Sequence, residues 1–370
     1  MIKLRLLNHH TNFSSKFIIY FISVILFLLL MSWTTFVFAF HLKHSHGYLD
    51  IAGRMQVAYN YRFLDNSQSA EKNRFFLESG RVELQGGLFR DFHYKLSFDL
   101  KSSALKAKEV WLSYCIASWL SFKMGQFKVP VSKIYAVSSG KWLFISAPRT
   151  ISSFSPKKDI GLMFSISSPN KLYHFHVGAF TGQGINISLD DRKGSPLVAL
   201  RVDIQPLGHL KKGNGDMERT AHFSFEFGLN GSYSEDAPEK ASLHNVDGSK
   251  LLYGGDLTIK FKGLFFLAEV LMATFNTNKE YHTMGFVIEA SYYISPLRLE
   301  PAIRFDYLDP SDMIEDNTEQ TVSFGLNYYP FAKRYFKFML NYTYHLPKSP
   351  SNTRGWQEND LTLMLHLAFK

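Results

Sequence analysis

The feature that most constrains this chain is a repeated alternation of apolar and polar residues over about ten positions, which is how a strand between lipid and water must read. In FHYKLSFDLK, Phe92, Tyr94, Leu96, Phe98 and Leu100 share one face, while His93, Lys95, Ser97, Asp99 and Lys101 share the other. Between Ala221 and Tyr233, Phe223, Phe225, Phe227 and Leu229 alternate with His222, Ser224, Glu226 and Asn230. Carried along the chain, the template places strands near 48–61, 73–86, 92–101, 108–116, 119–128, 159–167, 171–181 and 196–205. It continues at 221–233, 251–262, 264–275, 282–294, 297–307, 318–330, 335–346 and 359–369. One such segment suits a soluble sandwich equally well. Sixteen in series, an even number, suit a closed antiparallel barrel that leaves no unpaired edge in lipid. The expected fold is all-β, a 16-stranded antiparallel transmembrane β-barrel.

Composition agrees with that expectation and narrows the alternatives. Aromatics make up 16% of the 370 residues, with 34 Phe and 19 Tyr, yet the mean hydropathy is slightly below neutral. A helical membrane protein would be far more apolar, and soluble enzymes rarely carry so many aromatics. A single cysteine, Cys115, excludes an internal disulfide. The first residues carry Lys3, Arg5 and Lys16 and no acid, followed by the apolar run from Phe17 to Leu30 and a close at Val37 and Ala39. That pattern reads as a secretory signal peptide over 1–39, cleaved after Ala39, with the barrel over 40–370; a retained anchor is the rival reading. Removing the signal leaves 38 basic against 32 acidic residues, a net charge of +6. Export, and the lack of any basic helix or run, set nucleic acid aside as a partner.

Connection lengths give an independent register, since outer-membrane barrels have short periplasmic turns and longer outer loops. Outer loops are expected at 62–72, 102–107, 129–158, 182–195, 234–250, 276–281, 308–317 and 347–358. Inner turns are expected at 87–91, 117–118, 168–170, 206–220, residue 263, 295–296 and 331–334. The long inner turn 206–220 and the short outer loop 276–281 run against the pattern. The chain ends in LTLMLHLAFK, an alternating strand with a near-terminal aromatic such as the barrel-insertion machinery reads, although Lys370 follows Phe369.

Polar faces of the strands should line a wet lumen, because a charge on the lipid face costs ~2–4 kcal/mol near the midplane. Expected inward basics are Arg54, Arg81, Lys95, Lys101, Lys123, Arg201, Lys260, Lys262, Arg298, Arg304 and Lys337, nearly balanced by acids such as Glu83, Asp99, Glu109 and Asp203. The third outer loop, 129–158, breaks the balance: it holds Lys133, Lys141, Arg149, Lys157 and Lys158 and no acid. It is too long for a simple hairpin connection. Folded inward, it would form a constriction whose positive charge, focused by low-dielectric walls, favours anions. The rival reading is a surface loop whose basics meet lipopolysaccharide phosphates.

Several stretches together resemble the phosphate-selective porin family of outer membranes, the O and P type. They are RVELQGGLFRDFHYKLSFDL at 81–100, VWLSY at 110–114, LSFKMGQFKVP at 120–130, ALRVDIQPLG at 199–208, LEPAIRFDYL at 299–308 and VSFGLNYYPFAKRYFKFMLNYTY at 322–344. The most specific are Gly125 to Pro130, leading into the third loop, and Gly-Leu-Asn-Tyr-Tyr at 325–329. The resemblance implies a sixteen-stranded porin in the Gram-negative outer membrane, a homotrimer with an inward-folded third loop, passing small hydrophilic solutes with a preference for anions such as phosphate. Expected pore-lining or anion-binding residues are Arg81, Lys95, Lys123, Lys128, Lys133, Lys141, Arg149, Lys157 and Lys158. The family's phosphate specialists use an arginine ladder, which has no clear counterpart here. Expected partners are small anions or other hydrophilic solutes, outer-membrane lipid and lipopolysaccharide, and the insertion machinery; no cofactor or metal is expected.

Two other classes compete. An enzyme barrel would need a Ser with a His, or acids with a His, at the outer rim. The fourteen His are scattered; His174 and His176 share a strand face but lack a further nearby ligand, so they read as polar lumen residues. Asp190 and Asp191 adjoin Lys193 and read as solvated loop charge. An adhesin barrel would have a plugged lumen, whose charges would all need pairing.

Overall fold

The computed structural model describes residues 40–64, 72–101, 105–182, 184–185, 197–235, 248–277, 279–346 and 358–369. The expected signal segment 1–39 and the loop residues Asp190, Asp191 and Lys193 lie outside the described residues. Seventeen strands form one antiparallel sheet. A short β1 (Phe40–His44) turns into β2 (Gly47–Leu64), followed by β3 (Lys72–Leu88), β4 (Phe92–Asp99), β5 (Lys106–Ala117), β6 (Leu120–Lys128) and β7 (Lys158–Ser167). Next come β8 (Tyr173–Phe180), β9 (Leu197–Ile204), β10 (Ser224–Glu235), β11 (Ser249–Phe261), β12 (Leu264–Asn276) and β13 (Glu280–Tyr292). The last four are β14 (Leu299–Asp309), β15 (Glu319–Tyr328), β16 (Phe336–His345) and β17 (Glu358–Phe369).

Strands β2 to β17 close on themselves, because β17 pairs with β2 from Asp360 opposite Arg62 to Phe369 opposite Gly53. The ring is the expected sixteen-stranded antiparallel barrel. The addition is β1, which takes over along β2 where β17 stops, from Phe40 opposite Ile51 to His44 opposite Gly47. It covers backbone groups of β2 that would otherwise form an open edge.

Outside, the wall is an apolar band: Leu112, Phe164, Val177, Leu200, Leu229, Tyr253, Ile288, Ile303, Leu326 and Leu340 all project outward and are exposed. Exposed Tyr114, Trp119, Tyr173, Phe223, Tyr292, Tyr328 and Tyr335 gather at the short-turn ends of their strands, as an interfacial aromatic girdle does. Inside, most wall charges meet partners on neighbouring strands. Lys95 sits between Glu83 and Glu109 at 3.2 and 2.7 Å, Arg201 between Asp203 and Asp256 at 2.6 and 2.8 Å, and Arg304 lies 2.7 Å from Glu289.

Three features depart from plain alternation. The lumen face is not polar throughout: on β12 and β13 it carries Phe265, Leu267, Leu271, Ala273 and Val287, each almost fully buried. These residues join Val131, Ile134, Leu143, Phe144, Ile151 and Phe154 of the third loop in one core that sits within the barrel. Second, bulges shift the register after Gln56, Ser97 and Cys115, so single residues such as Glu78 and Lys108 have no cross-strand partner in that pairing. Third, Lys101, Lys262 and Arg298, expected as inward strand residues, fall in connections beyond the strand ends; Lys262 and Arg298 occupy turn positions at φ 48° and 55°. At Lys262 and Arg298 a tight turn outcompetes one more pair of ladder residues.

Candidate pore and its basic recess

The third loop leaves β6 at Lys128 and returns at the start of β7, running inside the barrel between them. Its local structure follows from short polar signals. Ser132 caps α1 (Lys133–Ala136), its side chain accepting from Tyr135 N at 3.3 Å. A 3-10 turn spans Ser139–Lys141, and after Pro148 comes α2 (Arg149–Phe154). Neither helix would be stable alone at this length; both are held by the wall.

The anchoring is mutual, loop backbone to wall side chain. Glu269 of β12 accepts from Lys133 N and Ile134 N, both at 3.1 Å. Lys337 donates to Trp142 O at 2.8 Å, Asn327 to Leu143 O at 3.1 Å and Arg304 to Ser146 O at 2.9 Å. Ile145 N donates to Asn341 at 2.7 Å, and Asp306 accepts from Arg149 N and Thr150 N at 2.5 and 3.3 Å. From the opposite side Arg54 of β2 reaches Ser138 and Ser139 at 3.3 and 3.0 Å. The loop therefore crosses the lumen and is fastened on both flanks.

The long inner turn 205–223 enters from the other end. Lys260 donates to Lys211 O and Gly213 O at 2.9 and 2.8 Å, Asn214 to Glu289 at 2.9 Å, and Arg334 to Asn214 O at 2.7 Å. Its tip touches the third loop, Asn214 N donating to Lys141 O at 3.2 Å. Close contact with Glu300 at Gly215, where φ is 81°, leaves no space for a side chain. An inner turn of this length departs from the short-turn pattern because it is a folded insertion into the lumen.

Between the third loop and the β3–β7 wall lies a recess of about 220 Å³, lined by Arg81, Lys108, Lys128, Tyr135, Val137, Ser139, Trp142, Lys157, Lys158 and Ile185. Among the described residues, five of the lining residues are cationic and none is acidic. The nearest carboxylates stand behind them: Asp99 lies 3.2 Å from Lys108, Glu109 lies 3.9 Å from Lys158, and Glu83 lies 3.7 Å from Arg81. Lys128 is held by the carbonyls of Ala136 and Val137 at 3.2 and 2.8 Å, and Lys157 stands 5.8 Å from the centre of the Tyr135 ring. Burial holds Lys157 below the usual lysine pKa. A second, larger space of about 390 Å³ adjoins the loop on its other flank, lined by Arg62, Arg74, Arg149 and Arg304 together with Glu78, Asp306 and Asp360. Its charges are mixed.

Four of the nine residues singled out in the sequence, Arg81, Lys128, Lys157 and Lys158, come together in the recess. The other five are elsewhere. Lys95 bridges Glu83 and Glu109, and Lys123 lies over the rings of Trp111 and Phe127 at 4.5 and 5.5 Å. Lys133 pairs with Glu226 and is pushed down to about 8 by burial and, secondarily, by Arg201. Arg149 meets Glu319 at 2.9 Å, while Lys141 Nζ lies 3.5 Å from Lys212 O of the long inner turn. Lys108, Tyr135 and Trp142 were missed. Strict alternation puts Glu109 inward and Lys108 outward, but the bulge opposite Ser97 and Phe98 turns both toward the lumen.

The family model for Phosphate-selective porin O and P matches residues 49–369. An uncharacterized protein of Aquifex aeolicus (strain VF5) is 23% identical over 309 residues, covering 75% of this chain and 70% of that protein. Among solved structures, the outer membrane protein OmpT of Vibrio cholerae, in its trimer form, is similar with a TM-score of 0.61 at 10% identity, covering 88% of this chain and all of that one. The outer membrane channel DcaP of Acinetobacter baumannii gives 0.59 at 13% identity, covering 88% of this chain and 99% of that one.

Proposed function

This chain belongs to the phosphate-selective porin O and P family, and from that premise we propose that this Gram-negative outer-membrane diffusion channel prefers anions, phosphate and other oxyanions among them. The observation that carries the reading is the recess, where, among the described residues, five cations and no carboxylate line the gap between an in-folded third loop and the wall. Walls of low dielectric focus that charge onto whatever passes. Arg81, Lys128, Lys157 and Lys158, with Lys108, are the residues that would meet the anion. Paired wall charges such as Arg201 with Asp203 and Asp256 add little net field, and since Arg81, Lys108 and Lys158 are each backed by a carboxylate, the net field of the recess comes mainly from Lys128 and Lys157. Residues 129–158 thus act as the constriction loop.

The same reading makes the protein a conduit with no chemistry of its own, assembled as a homotrimer like the trimeric OmpT form. Its segment 1–39 is a cleaved signal, and its partners are outer-membrane lipid, lipopolysaccharide and the insertion machinery. Ion substitution in planar bilayers tests the preference. Replacing potassium by a bulky organic cation should leave most of the conductance, whereas replacing chloride by a bulky anion should remove most of it. Phosphate added to chloride solutions should lower the current as it occupies the recess. Conductance that follows the cation instead, or is indifferent to phosphate, overturns the respective part.

A further inference from the structure

The recess combines charged and apolar lining. Lys128, Lys157 and Lys158 supply charge, while Tyr135, Val137 and Trp142 supply aromatic and aliphatic surface. The two rings stand 5.9 Å apart and tilted by 48°. Both are fixed in place: Trp142 Nε1 donates to Ile134 O at 3.1 Å, and the Tyr135 hydroxyl lies 3.3 Å from Ser152 Oγ. A preorganised aromatic surface of this kind loses little entropy on receiving a ligand.

Chloride and inorganic phosphate have no apolar surface to offer it. For such ions the ring side of the recess only displaces hydrating water without replacing its hydrogen bonds. Small-molecule sites of mixed character, mostly apolar with a few placed charges, instead fit ligands that carry both kinds of group. Size sets a further limit. A cavity of ~150 Å³ holds one benzene ring, so about 220 Å³ accommodates one ring with a carboxylate.

We propose that the recess is a binding station for small organic carboxylates bearing one aromatic or comparably flat apolar group, the carboxylate toward the lysines and the ring against Tyr135 and Trp142. The proposal rests on the anion-channel reading and names its preferred solute class. Lys157 sits at the junction, close to the face of the Tyr135 ring, so a bound carboxylate meets its charge where the apolar wall begins.

The full chain in planar bilayers tests this with three probes: benzoate, acetate and inorganic phosphate, each titrated into symmetric KCl while the current is recorded. Benzoate should halve the current at about tenfold lower concentration than acetate, the gain expected from covering one ring. Tyr135→Ala should bring benzoate to within about twofold of acetate, and Tyr135→Phe, which keeps the ring and removes the hydroxyl, should retain the gap. Equal potency of benzoate and acetate on the unaltered protein overturns the proposal, as does a gap that survives Tyr135→Ala. If the reversal potential shows cation preference and none of the three anions blocks, the anion-channel reading fails with it. Anion preference with equal benzoate and acetate potency removes only the solute class.

Discussion

Neutralising Lys157 should weaken the channel's anion preference in a manner that depends steeply on salt. Lys157 is the most suitable of the recess cations to remove, because it is only partly covered and still meets water, belongs to the connection after α2, and faces the Tyr135 ring rather than a carboxylate. Lys157→Gln should accordingly change stability by no more than ~0.5 kcal/mol. A unit charge about 5 Å from a passing anion in water-like surroundings contributes ~0.8 kcal/mol, which is about fourfold in occupancy. A cation at the same point is repelled by as much, so the anion-to-cation permeability ratio should fall about fifteenfold before screening. The Debye length is about 30 Å at 0.01 M and about 3 Å at 1 M. Reversal potentials under tenfold KCl gradients should therefore show a large shift in the dilute range and almost none in the concentrated range. Lys141→Gln, at a residue outside the recess lining, serves as the comparison and should shift little in either. A Lys157→Gln shift of equal size at both salt levels, or no shift in dilute salt, refutes the reasoning.

Other consequences are as direct. Arg54→Ala removes donors to Ser79, Ser138 and Ser139, bonds of a charged group worth ~1.5–3 kcal/mol each at most; single-channel conductance should rise as that flank of the loop comes free, and noise should increase. Leu271→Ala, in the core shared by β12 and the third loop, should cost ~2–5 kcal/mol, read as a lower unfolding temperature in detergent. Raising the pH should reduce anion preference earlier than an unperturbed lysine of pKa ~10.4 would allow, because burial lowers Lys157 and deprotonation removes its positive charge. In Lys157→Gln that early component of the pH dependence should be smaller.

Much of the barrel was legible because each strand is read by two solvents at once. The faces of 92–101 and 221–233 follow from lipid on one side and water on the other, a local rule that needs no knowledge of neighbours. The lumen face of β12 breaks that rule: Phe265, Leu267 and Leu271 are apolar on the water side because a loop more than a hundred residues upstream covers them. Bulges escaped it too, since inserting one residue at Lys108 changes which face it occupies without altering any nearby residue type. The length and charge of 129–158 marked the third loop, whereas the roles of its basics depend on partners such as Glu226 and Glu319, distant in sequence. The turn 205–223 stood out only as too long for its rim; its place in the lumen is set by Lys260, Glu289 and Arg334 on three separate parts of the chain.

The most direct test of the central claim is the reversal potential of the unaltered protein in a planar bilayer under a tenfold KCl gradient at low ionic strength. An anion-preferring channel gives a potential with the sign of chloride permeation, approaching the ~59 mV limit for one charge per tenfold ratio. A potential near zero would mean that the five cations of the recess lie off the ion path, and one of opposite sign would contradict the account outright.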